Sequence, residues 1–321
     1  MTKAALISCG GDPLLTMLMY GLFKKYWYDE VDHVYINFNT EMDRDFIPEL
    51  ISRVIPDKKI SVIYHPYQLG FGEPIRQMIH IAKEDLILLL EDDGFIYTSG
   101  VISEIFKGIE NNEYDIAGSP RRSCGQEIWD RAKELFNLNY EGEGDRGPNL
   151  WPNFLFCRRS DLLKTDLNFG SVAFKPGDYY EVLDYTFKEE DAGDTFVNTS
   201  LQLRKMGLRI KEIPQHKASP NEIPERANKT GNWIKGKPPY IHAGSLSSGY
   251  SWNGFLLGRQ PIVEKNDIET RVAFWRLALD LVEGFDEFKE IYKEGIEKLT
   301  AQLNEAQINA KYNTYRELLN L

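Results

Sequence analysis

The stretch Leu86-Ile87-Leu88-Leu89-Leu90-Glu91-Asp92-Asp93-Gly94 decides how this chain is read. Five aliphatic residues without a polar interruption, closed off by a turn signal, read as a strand buried in a parallel sheet. That strand runs straight into three carboxylates, a placement that costs desolvation energy unless a cation or hydrogen-bond donors meet them. Hard divalent ions such as Mg²⁺ or Mn²⁺ take oxygen ligands and share phosphate oxygens with a bound nucleotide, so few protein carboxylates suffice. Strand alternation turns Glu91 and Asp93 to one side. Acidic residues after a strand also cap helices or accept backbone hydrogen bonds, so the triplet alone leaves both roles open.

Working outward, short β-rich runs alternate with amphipathic helical patterns through the first half of the chain. Strands are expected at Ala4 to Ser8, Val34 to Phe38, Ile60 to Tyr64 and Leu86 to Leu90, with helices near Pro13 to Tyr26, Asp43 to Val54 and Glu73 to Lys83. The expected fold class is α/β: a Rossmann-like, mostly parallel sheet flanked by helices. Ligands of such sheets bind beyond the carboxyl ends of the strands, which is where the acidic triplet falls. Gly70 and Gly72 allow close backbone approach, and a helix opening just after them offers free N–H groups to phosphate. They serve equally well as turn glycines. Their spacing fits neither a dinucleotide fingerprint nor a Walker loop.

Between Asn111 and Pro152 the pattern loosens, and Glu141 to Pro148 reads as a Gly-rich charged loop. A β-like run at Asn153 to Cys157 leads into a short helix. A longer helix is expected from about Thr195 to Met206, closed by Gly207, with a strand from Leu208 to Ile213. After about Val263 helix formers take over. Asn266 to Glu269 reads as a cap, and apolar residues from Phe285 to Leu319 recur at three- and four-residue steps as one stripe. That extension packs on the domain or serves self-association, which would make a homo-oligomer.

The chain has 321 residues and a formal net charge of -11, which repels nucleic acid and anionic membrane at long range. Residues 203–237 form a local exception with nine Lys/Arg against three Glu, where phosphate groups are candidate partners. Nucleic acid is disfavoured without being excluded. No apolar run approaches the roughly 20 residues of a membrane span, and no secretory signal is visible, so a cytosolic protein is expected. Three widely spaced cysteines, Cys9, Cys124 and Cys157, suggest neither a disulfide framework nor a zinc site.

The order Tyr67-Gln-Leu-Gly70-Phe-Gly72, Arg76, Ala82, Asp85 and then the apolar strand into Glu91-Asp92-Asp93 resembles the large inverting, family 2-like group of GT-A glycosyltransferases with their DXD motif. The similarity resumes at Asn153 to Leu163 and at Phe187 to Gly207, and spans roughly Ala4 to Gly249. The resemblance implies a GT-A catalytic domain over residues 1–262, with a donor-binding half to about 115 and an acceptor half beyond it, followed by a C-terminal helical extension over 263–321. It implies Mn²⁺ or Mg²⁺ held through Glu91 and Asp93, with Asp92 and with Gly70, Gly72 and Arg76 bordering the donor diphosphate. A histidine completing the metal shell would be His242, with His216 the alternative. The catalytic base would be Asp194, with Asp191 the alternative, since Glu189-Glu190-Asp191 and Gly193-Asp194 stand where the family shows one acidic pair. An inverting transfer needs one carboxylate to take the acceptor hydroxyl proton.

Two segments depart from the family pattern. Asn37-Phe-Asn39 replaces an acidic pair after the second strand, and Ser8-Cys9-Gly10-Gly11-Asp12 ends the first; Ser8, Asp12, Asn37 and Asn39 are the nucleoside-contact candidates. A UDP-sugar is the default donor by family frequency, and a saccharide hydroxyl the default acceptor. Two other functions stay open. A sugar nucleotidyltransferase would need Arg and Lys near Gly10-Gly11, which are missing, and an inert binding module would tolerate loss of the acidic residues that are present.

Overall fold

The computed structural model describes residues 1–9, 13–39, 57–65, 69–70, 72–92, 94–140, 146–213, 215–216, 230–234, 237–242, 265–281, 303–319 and 321, with a few positions between 290 and 301. In chain order the first elements are β1 (Lys3–Cys9), α1 (Pro13–Leu22), β2 (His33–Asn39), β3 (Ile60–His65), α2 (Gly72–Ile81), β4 (Leu86–Glu91), β5 (Gly94–Ile96) and α3 (Val101–Glu110). The middle holds β6 (Ile116–Gly118), β7 (Pro120–Arg121), α4 (Gln126–Phe136), β8 (Asn149–Leu150), β9 (Phe154–Arg158), α5 (Arg159–Leu162), β10 (Val172–Phe174), β11 (Tyr179–Tyr180), β12 (Tyr185–Thr186), β13 (Asp191–Gly193) and α6 (Val197–Lys205). Then follow β14 (Ile210–Glu212), β15 (Gln215–His216), β16 (Thr230–Ile234), β17 (Lys237–His242), α7 (Lys265–Leu281) and α8 (Glu305–Leu318).

A seven-stranded sheet in the order β14-β6-β9-β4-β1-β2-β3 forms the centre. All its pairings are parallel except those of β9, which runs antiparallel to β4 and β6. The buried aliphatic strands β1, β2 and β4 are apolar on both sides because helices cover both faces. One face packs Ala5, Ile7, Ile36, Leu88 and Leu90 against α3 and the ring pair Phe23 and Trp27. On the other face Ala4, Leu6, Tyr35, Ile87 and Leu89 meet Ile75, Met78 and Ile79 of α2. That division decides the side on which each polar residue at the strand ends emerges.

Several expectations from sequence are refined. The helix expected over Pro13 to Tyr26 is α-helical only to Leu22, then widens into a π-helical turn over Phe23–Trp27. The extra residue in that turn lets both Phe23 and Trp27 face the core, with ring centroids 4.5 Å apart. The loosely patterned stretch contains an ordered helix, α4, whose polar face hid its apolar positions Ile128 and Ala132. The segment Asp43 to Val54 lies outside the described residues. The C-terminal stripe is not one helix: Asn304 caps a fresh start, its side chain accepting from the Gln307 N–H. Helix α7 packs on α1, and Phe274 stacks on Phe95 of β5 at 5.2 Å, so its apolar face is used within the chain. Among the described residues no helix is long and apolar enough to cross a membrane.

The far edge of the sheet is closed by a charge network. Arg209 donates to Asp115 from its main-chain N–H and its guanidinium at 2.9 to 3.0 Å, and Arg158 adds a bond at 3.1 Å. Arg209 first, then Arg158, hold the Asp115 carboxyl down at about 2. A carboxyl depressed on folding stabilises above its unfolded value near 4 and loses that contribution as pH falls through its folded value. Asp115→Asn is therefore expected to cost about 1–3 kcal/mol at neutral pH. In thermal melts its deficit against the native chain should shrink between about pH 4 and pH 2.

Candidate functional site

Register brings three sequence-predicted residues into one row. Ser8 of β1 stands opposite both Asn37 of β2 and Glu91 of β4, and alternation turns all three to the face covered by α2. Ser8 and Asn37 are buried and Glu91 is half-buried, while Asp92 is 1% exposed, with its N–H donating to the Ser8 carbonyl at 3.2 Å. Asn37 Nδ2 donates to the Pro74 carbonyl in the first turn of α2 at 3.3 Å, and its Oδ1 is buried with no hydrogen-bond partner among the described residues. Asn39 works differently. Its Oδ1 accepts from Leu69 N–H at 2.6 Å and its Nδ2 donates to the Leu69 carbonyl at 2.9 Å, so both ends of the amide hold the residue before Gly70.

Helix α2 begins in a close approach. A Cβ on Gly72 would lie 2.5 Å from the Gly170 nitrogen and 2.6 Å from the Phe169 carbonyl carbon, so backbone packs there on backbone. Gly70 has nothing within 4 Å of that position. One turn into the helix, Arg76 forms a two-pronged pair with Glu73 at 2.8 Å and holds that carboxyl below its usual range. Gly70, Gly72, Glu73 and Arg76 form one wall of a cleft of about 500 Å³ whose opposite wall is residues 166–171 with Thr195.

Asp194 stands beside that cleft. It is exposed, its N–H donates to the Ser123 carbonyl at 2.9 Å and its Oδ1 accepts from Thr195 N–H at 2.8 Å. It does not cap α6: the cap position belongs to Phe196, at φ +71, whose N–H donates to the Phe169 carbonyl at 3.0 Å and whose ring stacks on Phe169 at 5.4 Å. Bulky residues adopt this backbone region only when the surroundings hold them there. Asp191 has another environment. It is buried, and its Oδ2 accepts from Ile128 N–H at 2.9 Å in the first turn of α4 while Oδ1 accepts from Ala192 N–H at 2.7 Å. Its two oxygens are thus occupied at a helix N-terminus, where a carboxylate is favoured by the dipole.

A second, antiparallel sheet in the order β15-β16-β17-β5 brings His242 opposite Gly94, one residue past the acidic triplet. His216 pairs with Gly231 at the other edge of that sheet. Asp12 and Asp93 lie outside the described residues, as do the side chains of His242 and His216. Among the described residues no three carboxylate, imidazole or thiol groups cluster. The described part of the basic stretch is engaged internally: Arg204 donates to the Pro148 carbonyl, Lys205 to that of Glu181, Arg209 binds Asp115 and Lys211 lies over the Tyr114 ring.

Residues 166–171 were missed from sequence, although the pattern Asp166-Leu-Asn168-Phe-Gly170 holds a signal. Asn168 N–H donates to Asp166 Oδ1 at 2.9 Å and Gly170 N–H to Asn168 Oδ1 at 3.3 Å, two consecutive side-chain turns of the kind Asp and Asn make.

Residues 37–174 match the model of the family described as "Glycosyl transferase family 2", a span that includes Asn37 and Glu91 of the strand-end row, α2 and residues 166–171 of the cleft wall. No curated protein matches the chain. Among solved structures, TarS 1-349 of S. aureus in complex with UDP is 13% identical, covering 90% of this chain and 68% of that one at a TM-score of 0.42. The mannosyltransferase PcManGT from Pyrobaculum calidifontis in complex with GDP-Man and Mn²⁺ is 12% identical, covering 99% and 84% at 0.43. Glucosyl-3-phosphoglycerate synthase from Mycobacterium tuberculosis, in complex with Mn²⁺ and UDP-Glc, is 14% identical, covering 50% and 57% at 0.35.

Proposed function

We propose that the chain, whose residues 37–174 match the glycosyl transferase family 2 model, is a GT-A glycosyltransferase that moves a sugar from a nucleotide-diphosphate donor, a UDP-sugar by default, to a saccharide hydroxyl. The reaction inverts the anomeric carbon and depends on Mn²⁺ or Mg²⁺. The observation that supports it most is the cleft: it joins the Gly72–Arg76 wall, suited to a diphosphate, to Thr195 beside the exposed Asp194.

In this reading the buried, unpaired Asn37 Oδ1 accepts an N–H of the nucleobase, with Ser8 beside it in the row. The N-terminus of α2 and Arg76 meet the diphosphate, Arg76 by exchanging part of its Glu73 pair for phosphate oxygens. Asp194 takes the proton from the attacking hydroxyl, and its exposure leaves room for an acceptor to enter. The donor set suits a hard cation: Glu91 is held at the strand end and the β17–β5 register carries His242 to within one strand spacing of the triplet's end, which favours His242 over His216. Glu91, Asp93 and His242 would hold it, and the ion supplies neutralisation of charge on the departing diphosphate.

The test is a panel of nucleotide-sugars with Mn²⁺, Mg²⁺ or EDTA, followed by thermal shift and by slow donor hydrolysis. One donor at about 100 times its Kd should stabilise the chain by about 2.7 kcal/mol, a rise in Tm of several degrees. EDTA and Asp93→Ala should each abolish both signals. If every donor is ignored with metal present and Asp93→Ala changes nothing, the proposal fails.

A further inference from the structure

Asn198 sits in the first turn of α6, almost wholly buried, and its single carboxamide joins three segments. Nδ2 donates to both oxygens of Asp166 at 3.0 Å each and approaches the Asn168 carbonyl at 3.4 Å. Oδ1 accepts from the Tyr180 hydroxyl of β11. The next residue, Thr199, adds a bond from Oγ1 to the same Asn168 carbonyl at 3.1 Å. Asp166 and Asn168 line the cleft wall, and Asp194 lies four residues before Asn198, ahead of the Phe196 cap.

The wall and the turn both contain strained backbone. Leu167 has φ +56 and Phe196 φ +71, and such positions persist only where the surroundings over-determine them. Helix packing alone would ask for an apolar side chain at position 198. A buried amide whose donor and acceptor ends are both used instead fixes relative position, since leaving either partner unpaired is costly.

We infer that Asn198 is a positioning residue: it fastens the cleft wall at residues 166–168 to the helix that follows Asp194, and so sets the spacing at which the candidate base meets the reacting sugar. The catalytic part of this statement rests on the role proposed for Asp194. The fastening itself does not.

Asn198→Asp keeps shape and the Tyr180 bond but replaces the amide donors with a second carboxylate against Asp166. The reciprocal pair Asp166→Asn with Asn198→Asp restores a donor between the two positions in the opposite sense. Three readouts are taken on the full chain: hydrogen–deuterium exchange, UDP affinity with Mn²⁺ by calorimetry, and hydrolysis of UDP-glucose. In Asn198→Asp, amides of residues 166–171 should exchange at least about tenfold faster while those of β4 stay native. Hydrolysis should fall by about 100-fold with UDP affinity changed less than about twofold. The double variant should recover both to within about fivefold of native. Native exchange at 166–171 in Asn198→Asp, a uniform increase that includes β4, or no recovery in the double variant would each overturn the inference. A native chain that neither binds UDP nor hydrolyses UDP-glucose would instead sink the proposed function, and the exchange results would still decide the fastening.

Discussion

Asp194→Asn is expected to lower turnover of the donor by about 10²- to 10⁴-fold, the range by which a positioned general base accelerates a reaction. The affinity for UDP with Mn²⁺ should stay within about twofold, because the exposed Asp194 carboxylate makes one bond among the described residues, to Thr195 N–H. Its melting temperature should barely move, since Asn can keep that bond. Asp191→Ala should behave in the opposite way. It removes the acceptor for Ile128 N–H at the start of α4 and empties a buried site, which costs about 0.5–2 kcal/mol for the cap alone. Turnover per folded molecule should stay within a few-fold of native. Steady-state hydrolysis of the donor beside thermal melts separates the two residues, and a loss of turnover confined to Asp191→Ala would reverse the assignment.

Gly72→Ala is expected to damage both stability and turnover. Its Cβ would press on the Gly170 nitrogen and the Phe169 carbonyl carbon, both backbone atoms that cannot swing aside. The strain should cost about 1–3 kcal/mol. Relief requires α2 and the 166–171 wall to part, and a shift of about 1 Å between groups that orient a substrate costs on the order of 100-fold in turnover. Gly70→Ala is the control. Nothing lies within 4 Å of its Cβ position, so melting temperature and turnover should stay close to native. Equal effects of the two substitutions would mean that the close approach at Gly72 does not shape the cleft.

The relation between Asp191 and Asp194 shows what pattern reading could reach. Both follow short polar stretches, both precede a helix, and both fit an acidic pair at a helix start. Only packing tells them apart. The β10–β13 pairing and the Cys124–Gly193 bridge carry Asp191 under α4, whereas Asp194 emerges at the open side with Thr195 in the cleft. Asn37 and Asn39 present the same problem two residues apart on one face of one strand. Asn39 is consumed by Leu69, and Asn37 keeps a buried acceptor atom without a partner among the described residues. Neither outcome is visible in the letters, because the partners lie some 30 residues away along the chain.

Local pattern is enough to specify the parallel core of the sheet, the order of its strands' apolar runs and the placing of an acidic triplet at a strand's carboxyl end. These depend on local periodicity, on the uninterrupted aliphatic run at 86–90 and on turn residues, all of which act over a few neighbours. Tertiary structure alone decided the antiparallel insertion of β9, the strand pairing that sets His242 opposite Gly94, and the closure of the cleft by residues 166–171. Those features are pairings between segments tens to more than a hundred residues apart. Their register is fixed by which side chains fit and which buried polar atoms find partners, a condition on the folded whole that no single segment encodes.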